Sequence, residues 1–186
     1  MNTGSGERWE ARGFEDEDFT EADLDGLRTV GCTFVNCDFT RADLIESRHE
    51  RSAFIACTFR ETDLTSVVFA GCKLTGSMFV EARIRGLRFE GGDLSQVSLG
   101  GADLRERDLS GVRLVEANLV AADLTGTNLS GADLRGVRID RTVLRDVDLR
   151  GAQLEGFDPR RADLRGARID FEHAVAFAKV FGVVIG

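Results

Sequence analysis

Long apolar runs are missing from this sequence: no stretch of eighteen or more apolar residues occurs, so nothing in it is built to span a membrane. The opening residues, Met1 to Glu10, are polar and hold no apolar segment, which argues against a secretory signal and makes the cytoplasm the expected compartment. Proline is almost absent. Pro159 stands alone against 21 glycines, which excludes proline-rich linkers and points to many tight corners. Histidine is scarce too: only His49 and His173 accompany four cysteines, and the cysteines lack zinc-ligand spacing, so no metal is expected. A phosphate-cradling loop, a nucleophile elbow and a dinucleotide fingerprint are all missing, so neither an enzyme nor a cofactor is expected. Positive charge is in short supply, with 24 basic residues against 32 acidic and a net charge of -8. Phosphates would repel such a chain, which argues against direct nucleic-acid binding but leaves open competition for a basic surface that normally holds nucleic acid.

What the sequence does have is a period of five. Steps of five from Phe14 to Ile169 meet 32 positions, of which 29 are Phe, Leu or Ile; Thr29, His49 and Pro159 break the series. The position two before is Ala, Cys, Ser, Thr, Val or Gly in 26 of the 32, and the position two after is Gly in 14. Ala132-Asp133-Leu134-Arg135-Gly136 is a clear copy of the unit. A period of five fits neither a strand nor an α-helix. It fits a chain that turns a corner every five residues, pointing one large and one small side chain inward at each side, with polar residues outside. Coils of this kind stack and bury a continuous core.

The unit resembles the motif A-(D/N)-L-x-x of the pentapeptide-repeat family, over Phe14 to about Ile169. The resemblance implies an all-β solenoid: a right-handed quadrilateral β-helix with four units per coil, hence about eight coils from 32 units, and a short C-terminal α-helix. The expected organisation is an N-terminal tail over 1–12, the β-helix over 13–170, and a C-terminal helix and tail over 171–186 serving as cap and dimerisation element. The frame never slips, so no loop should interrupt the coils. In this the chain is similar to the mycobacterial fluoroquinolone-resistance (MfpA-type) members of the family rather than to plasmid-borne members, which carry loops.

Residues twenty apart then share a side. Phe14, Phe34 and Phe54 should stack in one column and Phe19, Phe39, Phe59 and Phe79 in the next, with leucine taking over in the C-terminal half. Phe157 beside Pro159, and Leu27 beside Thr29, read as volume swaps between the small and large positions. His49 should point inward as a core residue. Cys32, Cys37, Cys57 and Cys72 all take the small inward position. Cys37 and Cys57 should stack within disulfide range, but free thiols are expected in the cytoplasm.

Outside, the residue before each large one should be exposed. On the side bearing Leu24, Leu44 and Leu64 that position holds Asp23, Asp43, Asp63, Arg83, Asp103, Asp123, Val143 and Asp163, a column dominated by aspartate. Arg85, Arg105, Arg145 and Arg165 interleave with it. Nine acids and two arginines fall between residues 7 and 25, so most of the net charge sits at the start of the chain. The column reads either as a ladder of charge imitating a phosphate backbone or as the family's ordinary aspartate.

After Ile169 the period stops. Asp170 suits an N-cap, Phe171 to Phe181 reads as a short helix, Gly182 as its stop and Val183 to Ile185 as a further short strand. The helix is apolar nearly all round, so one face should cap the solenoid and the other await a partner. The resemblance implies a homodimer through Phe171, Ala174, Val175, Phe177, Ala178 and Phe181. It also implies a DNA-mimicking protein that binds and inhibits DNA gyrase by competing with duplex DNA, so conferring fluoroquinolone resistance, with Asp23, Asp43, Asp63, Asp103, Asp123 and Asp163 as the partner-binding residues. The alternative is a generic protein-interaction scaffold whose partner is another protein.

Overall fold

The structure, a computed structural model, describes residues 6–185. It holds about eight turns of β-solenoid and one short C-terminal helix, divided between two compact units, Met1–Leu99 and Gly100–Gly186. In both, the backbone obeys one rule. Where a further coil of the same unit follows, the N–H of a large residue donates to the carbonyl nineteen residues on, as Phe39 does to Thr58 (2.8 Å), and the N–H before a large residue donates to the carbonyl twenty-one residues back, as Asp63 does to Ala42 (3.0 Å). Within each unit, residues twenty apart therefore lie in register.

In the first unit two sides are extended enough to form strands. One side carries β1 (Arg8–Glu10), β3 (Arg28–Val30), β5 (Arg48–Glu50), β7 (Val68–Ala70) and β8 (Arg88–Glu90), paired in that order in a parallel sheet. The adjoining side carries β2 (Gly13–Glu15), β4 (Thr33–Val35) and β6 (Ala53–Ile55), also parallel. Aromatic and β-branched residues such as Phe34, Val35 and Ile55 favour this extended backbone. The rings stack as the period requires: Phe14 on Phe34 (4.9 Å), Phe34 on Phe54 (4.6 Å), Phe19 on Phe39 (4.9 Å), Phe39 on Phe59 (5.1 Å) and Phe59 on Phe79 (4.8 Å). The frame reaches one step further back than Phe14. Trp9 fills the large inward position of β1 and pairs in register with Thr29, inside the segment expected as a tail over 1–12. His49 points inward as expected, with no solvent exposure, against Phe54 and Phe69. All four cysteines are buried with free thiols. Burial pushes the Cys57 thiol up to about 12 and that of Cys72 to about 11.

The second unit has less extended sides. Four corners in one coil close with turn hydrogen bonds, Val112 to Leu109, Ala117 to Leu114, Ala122 to Leu119 and Thr127 to Leu124, which makes the coil four-sided. The two short strands here are β9 (Thr142–Val143) and β10 (Ala162–Asp163), paired in parallel. Pro159 opens a 3-10 turn, Pro159–Arg161, capped by Asp158, and Arg141 N–H consequently reaches the Arg161 carbonyl (2.9 Å). Pairing recovers at once in β10. The proline's missing N–H costs nothing, because a large residue in this last coil has no further coil to donate to. Phe157 and Pro159 are both buried, as a volume swap requires.

The helix α1 spans Phe171–Val180. Asp170 occupies its N-cap position, yet its side chain does not cap the helix; it accepts instead from Gly151 N–H (2.5 Å), taking the place of a ladder carbonyl. At the other end Gly182 N–H reaches the Lys179 carbonyl (3.0 Å) and Val183 N–H the Ala178 carbonyl (2.9 Å), a Schellman stop. Val183 to Ile185 form no strand, contrary to expectation.

Candidate partner-binding surface

The aspartate column is real within each unit. Asp23 bridges to Asp43, Asp43 to Asp63 and Asp63 to Arg83 in the first; Asp103 bridges to Asp123 and Asp123 to Val143 in the second, where β10 sets Asp163 beside Val143. Asp23 and Asp103 are exposed, and Asp43, Asp63, Asp123 and Asp163 are half-buried.

Each of these carboxylates first serves the backbone. Its Oδ1 accepts the N–H two residues on, as Asp43 does from Ile45 (3.0 Å), Asp63 from Thr65 (3.0 Å) and Asp123 from Thr125 (2.9 Å). This Asx turn satisfies an N–H that the ladder leaves over at the corner. Asparagine does the same at Asn118 and Asn128, which take the N–H of Val120 (3.2 Å) and Ser130 (3.0 Å). The geometry therefore asks for a side-chain oxygen at this position and not for a charge. The spacing shows where these residues lie but not this bond, which sequence reasoning missed.

What separates the two units is the residue after each large one. In the second unit it is often arginine, folded back over the aspartate two residues before it. Arg105 forks Asp103 (2.8 and 2.6 Å), Arg135 forks Asp133 (2.8 and 2.7 Å) and Arg165 forks Asp163 (2.9 and 2.6 Å). Asp163 is held from a second side by Arg145 (2.6 Å), and Arg105 also approaches Asp123 (3.9 Å). The Arg105 guanidinium holds the Asp103 carboxyl down to about 2, and Arg165 with Arg145 holds Asp163 well below the usual carboxylate range. In the first unit the corresponding residues are Asp25, Ile45 and Thr65, and the charges stay less offset. Among the described residues no ion pair engages Asp43. Partial burial pushes Asp63 up, but hydrogen bonds from Thr65 and Arg83 outweigh it and leave the carboxyl below its ordinary range. Glu61 and Glu81 join Asp43, Asp63, Arg41 and Arg83 around one shallow groove, which widens the acidic face beyond the predicted column. The sequence signal was available: Asp-x-Arg recurs after residue 100 and is absent at these positions before it.

The predicted dimer residues divide. Phe171 and Phe181 are largely exposed, at 80% and 63%. Phe177 turns inward, stacked on Phe157 (5.7 Å), so it belongs to the cap within the chain. Ala174 is exposed, while Val175 and Ala178 are intermediate. No group of His, Cys, Asp and Glu among the described residues is arranged to hold a metal ion, and no helix among them is long and apolar enough to cross a membrane.

With the coil rule, the ring columns and the corner caps in place, comparison with known proteins is direct. The family model described as pentapeptide repeats matches in eight copies, over residues 18–48, 57–96, 98–136 and 142–174. The chain belongs to the pentapeptide-repeat family. A search of curated proteins finds no match to this pentapeptide-repeat protein. Among solved structures, two trypsin-treated variants of QnrB1, a plasmid-mediated fluoroquinolone resistance protein, are similar in fold. Their TM-scores are 0.86 and 0.81, each at 24% identity, covering 100% of this chain and 93% of theirs. Full-length QnrB1 gives a TM-score of 0.67 at 23% identity over 96% of this chain and 92% of its own.

Proposed function

We propose that this protein binds DNA gyrase in the place of duplex DNA, inhibits it, and so protects it from fluoroquinolones by competition, with no chemistry performed. The observation that carries the reading is the vertical register of Asp23, Asp43 and Asp63, one per coil and without the arginine forks of the second unit. Membership of the pentapeptide-repeat family, and a fold like that of a fluoroquinolone resistance protein, support the same reading. Duplex DNA carries one charge per roughly 1.7 Å, far denser than this chain, so mimicry rests on local placement rather than net charge. The reading centres contact on Asp23, Asp43 and Asp63 and gives Asp103, Asp123 and Asp163 a smaller part. It has the protein act in the cytoplasm as a homodimer, two copies meeting through Phe171, Phe181 and the exposed face of α1.

A second reading, a scaffold for another protein partner, draws support from the Asx turns: every ladder aspartate has a structural reason to be present. A gyrase supercoiling assay separates the two. Competition predicts inhibition at micromolar protein that is relieved by added duplex DNA. Supercoiling that proceeds unchanged favours the scaffold.

A further inference from the structure

The first unit buries a chain of polar side chains bonded to one another, whereas its other fully buried hydroxyls, Thr62 and Ser77, bond to backbone. Trp9, Thr29, His49, Phe69 and Phe89 follow in register across β1, β3, β5, β7 and β8. Thr29, Ser47 and His49 have no solvent exposure, and Ser52 has almost none. Thr29 Oγ1 lies 2.9 Å from His49 Nδ1 and 3.0 Å from Ser52 Oγ, and Ser47 Oγ lies 3.0 Å from His49 Nε2. Ser52 Oγ also accepts Cys32 N–H (3.1 Å) and donates to the Glu50 carbonyl (3.1 Å).

The direction of every bond follows from the number of protons. A carbonyl only accepts, so the single hydroxyl proton of Ser52 goes to Glu50. Thr29 must then donate to Ser52, which leaves Thr29 Oγ1 to accept Nδ1–H of His49. Nε2 is bare and accepts the Ser47 hydroxyl. No charged side chain faces the ring. Arg48 and Glu50 flank it on its own strand and pair with each other outside (2.8 Å). Phe54 and Phe69 pack on it, and the Cys72 thiol donates to the His49 carbonyl (3.2 Å).

We infer that this chain is a register key, which holds the coils of the first unit against slipping by one pentapeptide. The apolar pattern alone cannot do so. Large residues recur every five positions, so expelling one pentapeptide as a loop still sets Phe and Leu on Phe and Leu. Such a slip sets Thr29 on Leu44 or Phe54 in place of His49 and leaves a buried imidazole and hydroxyls without partners. A polar group buried in this way selects one arrangement among several of similar apolar burial. The second unit has no counterpart; its large positions are Leu or Ile throughout, apart from Pro159.

The test is the triple variant Thr29→Val, Ser47→Ala, His49→Phe, which removes both partners of the bonds to the ring while roughly keeping volume. After refolding from denaturant, the register key predicts a folded protein with a second set of amide resonances, absent from the parent treated alike. A single set of resonances overturns the inference. So does loss of the folded state, because the chain would then supply stability rather than register. In the unaltered protein the ring nitrogen shifts of His49 must report a neutral imidazole in a single tautomer at pH 7; a ring that averages between tautomers lacks fixed partners and overturns the inference.

Discussion

At the scale of single residues, position in the five-residue frame decides burial, and that frame is legible in the sequence alone. Phe39 is the plainest case: a large residue at the expected step, stacked between Phe19 and Phe59 with 1% exposure. Truncation by Phe39→Ala should cost about 3–5 kcal/mol, measurable by chemical denaturation. What the frame cannot give is the partner of a polar side chain. Thr29 and Leu27 read as a volume swap, and both are buried, but the hydroxyl's bond to His49 depends on two coils meeting, which no local pattern encodes. That burial has a pH signature. Desolvation lowers the His49 imidazole from 6.5 to about 3. The unfolded chain therefore takes up a proton below pH 6.5 that the folded chain refuses until about pH 3. Stability is fully present above pH 6.5 and falls as pH drops toward 3, at up to about 1.4 kcal/mol per pH unit from this group. Denaturation midpoints of the parent and of His49→Phe at pH 7 and pH 5 should diverge accordingly, and parallel slopes would contradict the assignment.

At the scale of the element, the pentapeptide is a strand with a corner, and its parts have separate jobs. The corner residue two after the large one takes a left-handed backbone even where it is not glycine, as at Arg41 (φ 55°) and Glu46 (φ 54°), which is why the glycine signal in the sequence is only partial. Gly92 is different. Its φ is +110° and an added Cβ would collide with the Cys72 carbonyl, so Gly92→Ala should destabilise by more than about 2 kcal/mol, visible as a lowered melting temperature. The aspartate before the large residue caps the corner. Asp43→Asn should leave the melting temperature nearly unchanged, whereas Asp43→Ala should lose about 1 kcal/mol, the size of a typical cap. Asn118 and Asn128 are the natural precedents for the first change. The C-terminal helix was legible from the end of the period and from Gly182. The use of Asp170 was not, because its carboxylate answers an N–H of Gly151 nineteen residues earlier.

At the scale of the whole molecule, charge is shared unequally. Residues 1–99 hold 18 acidic and 11 basic residues, and residues 100–186 hold 14 and 13. The net difference was countable in the sequence; the arginine forks that neutralise the later aspartates were visible only as a spacing. The ladder thus combines two functions that a consensus letter cannot separate. All its aspartates shape corners, and those of the first unit also present charge that no arginine two residues on folds back over. Substitution by asparagine separates the functions, because it keeps the corner and removes the charge. The deciding measurement is inhibition of gyrase supercoiling by two triple variants, Asp23→Asn, Asp43→Asn, Asp63→Asn and Asp103→Asn, Asp123→Asn, Asp163→Asn, each first checked for parental melting. Mimicry by the first unit predicts that the former weakens inhibition at least about tenfold, near 1.4 kcal/mol, while the latter changes it by less than about threefold. Equal inhibition by the parent and both variants would mean that the aspartates are corner caps alone.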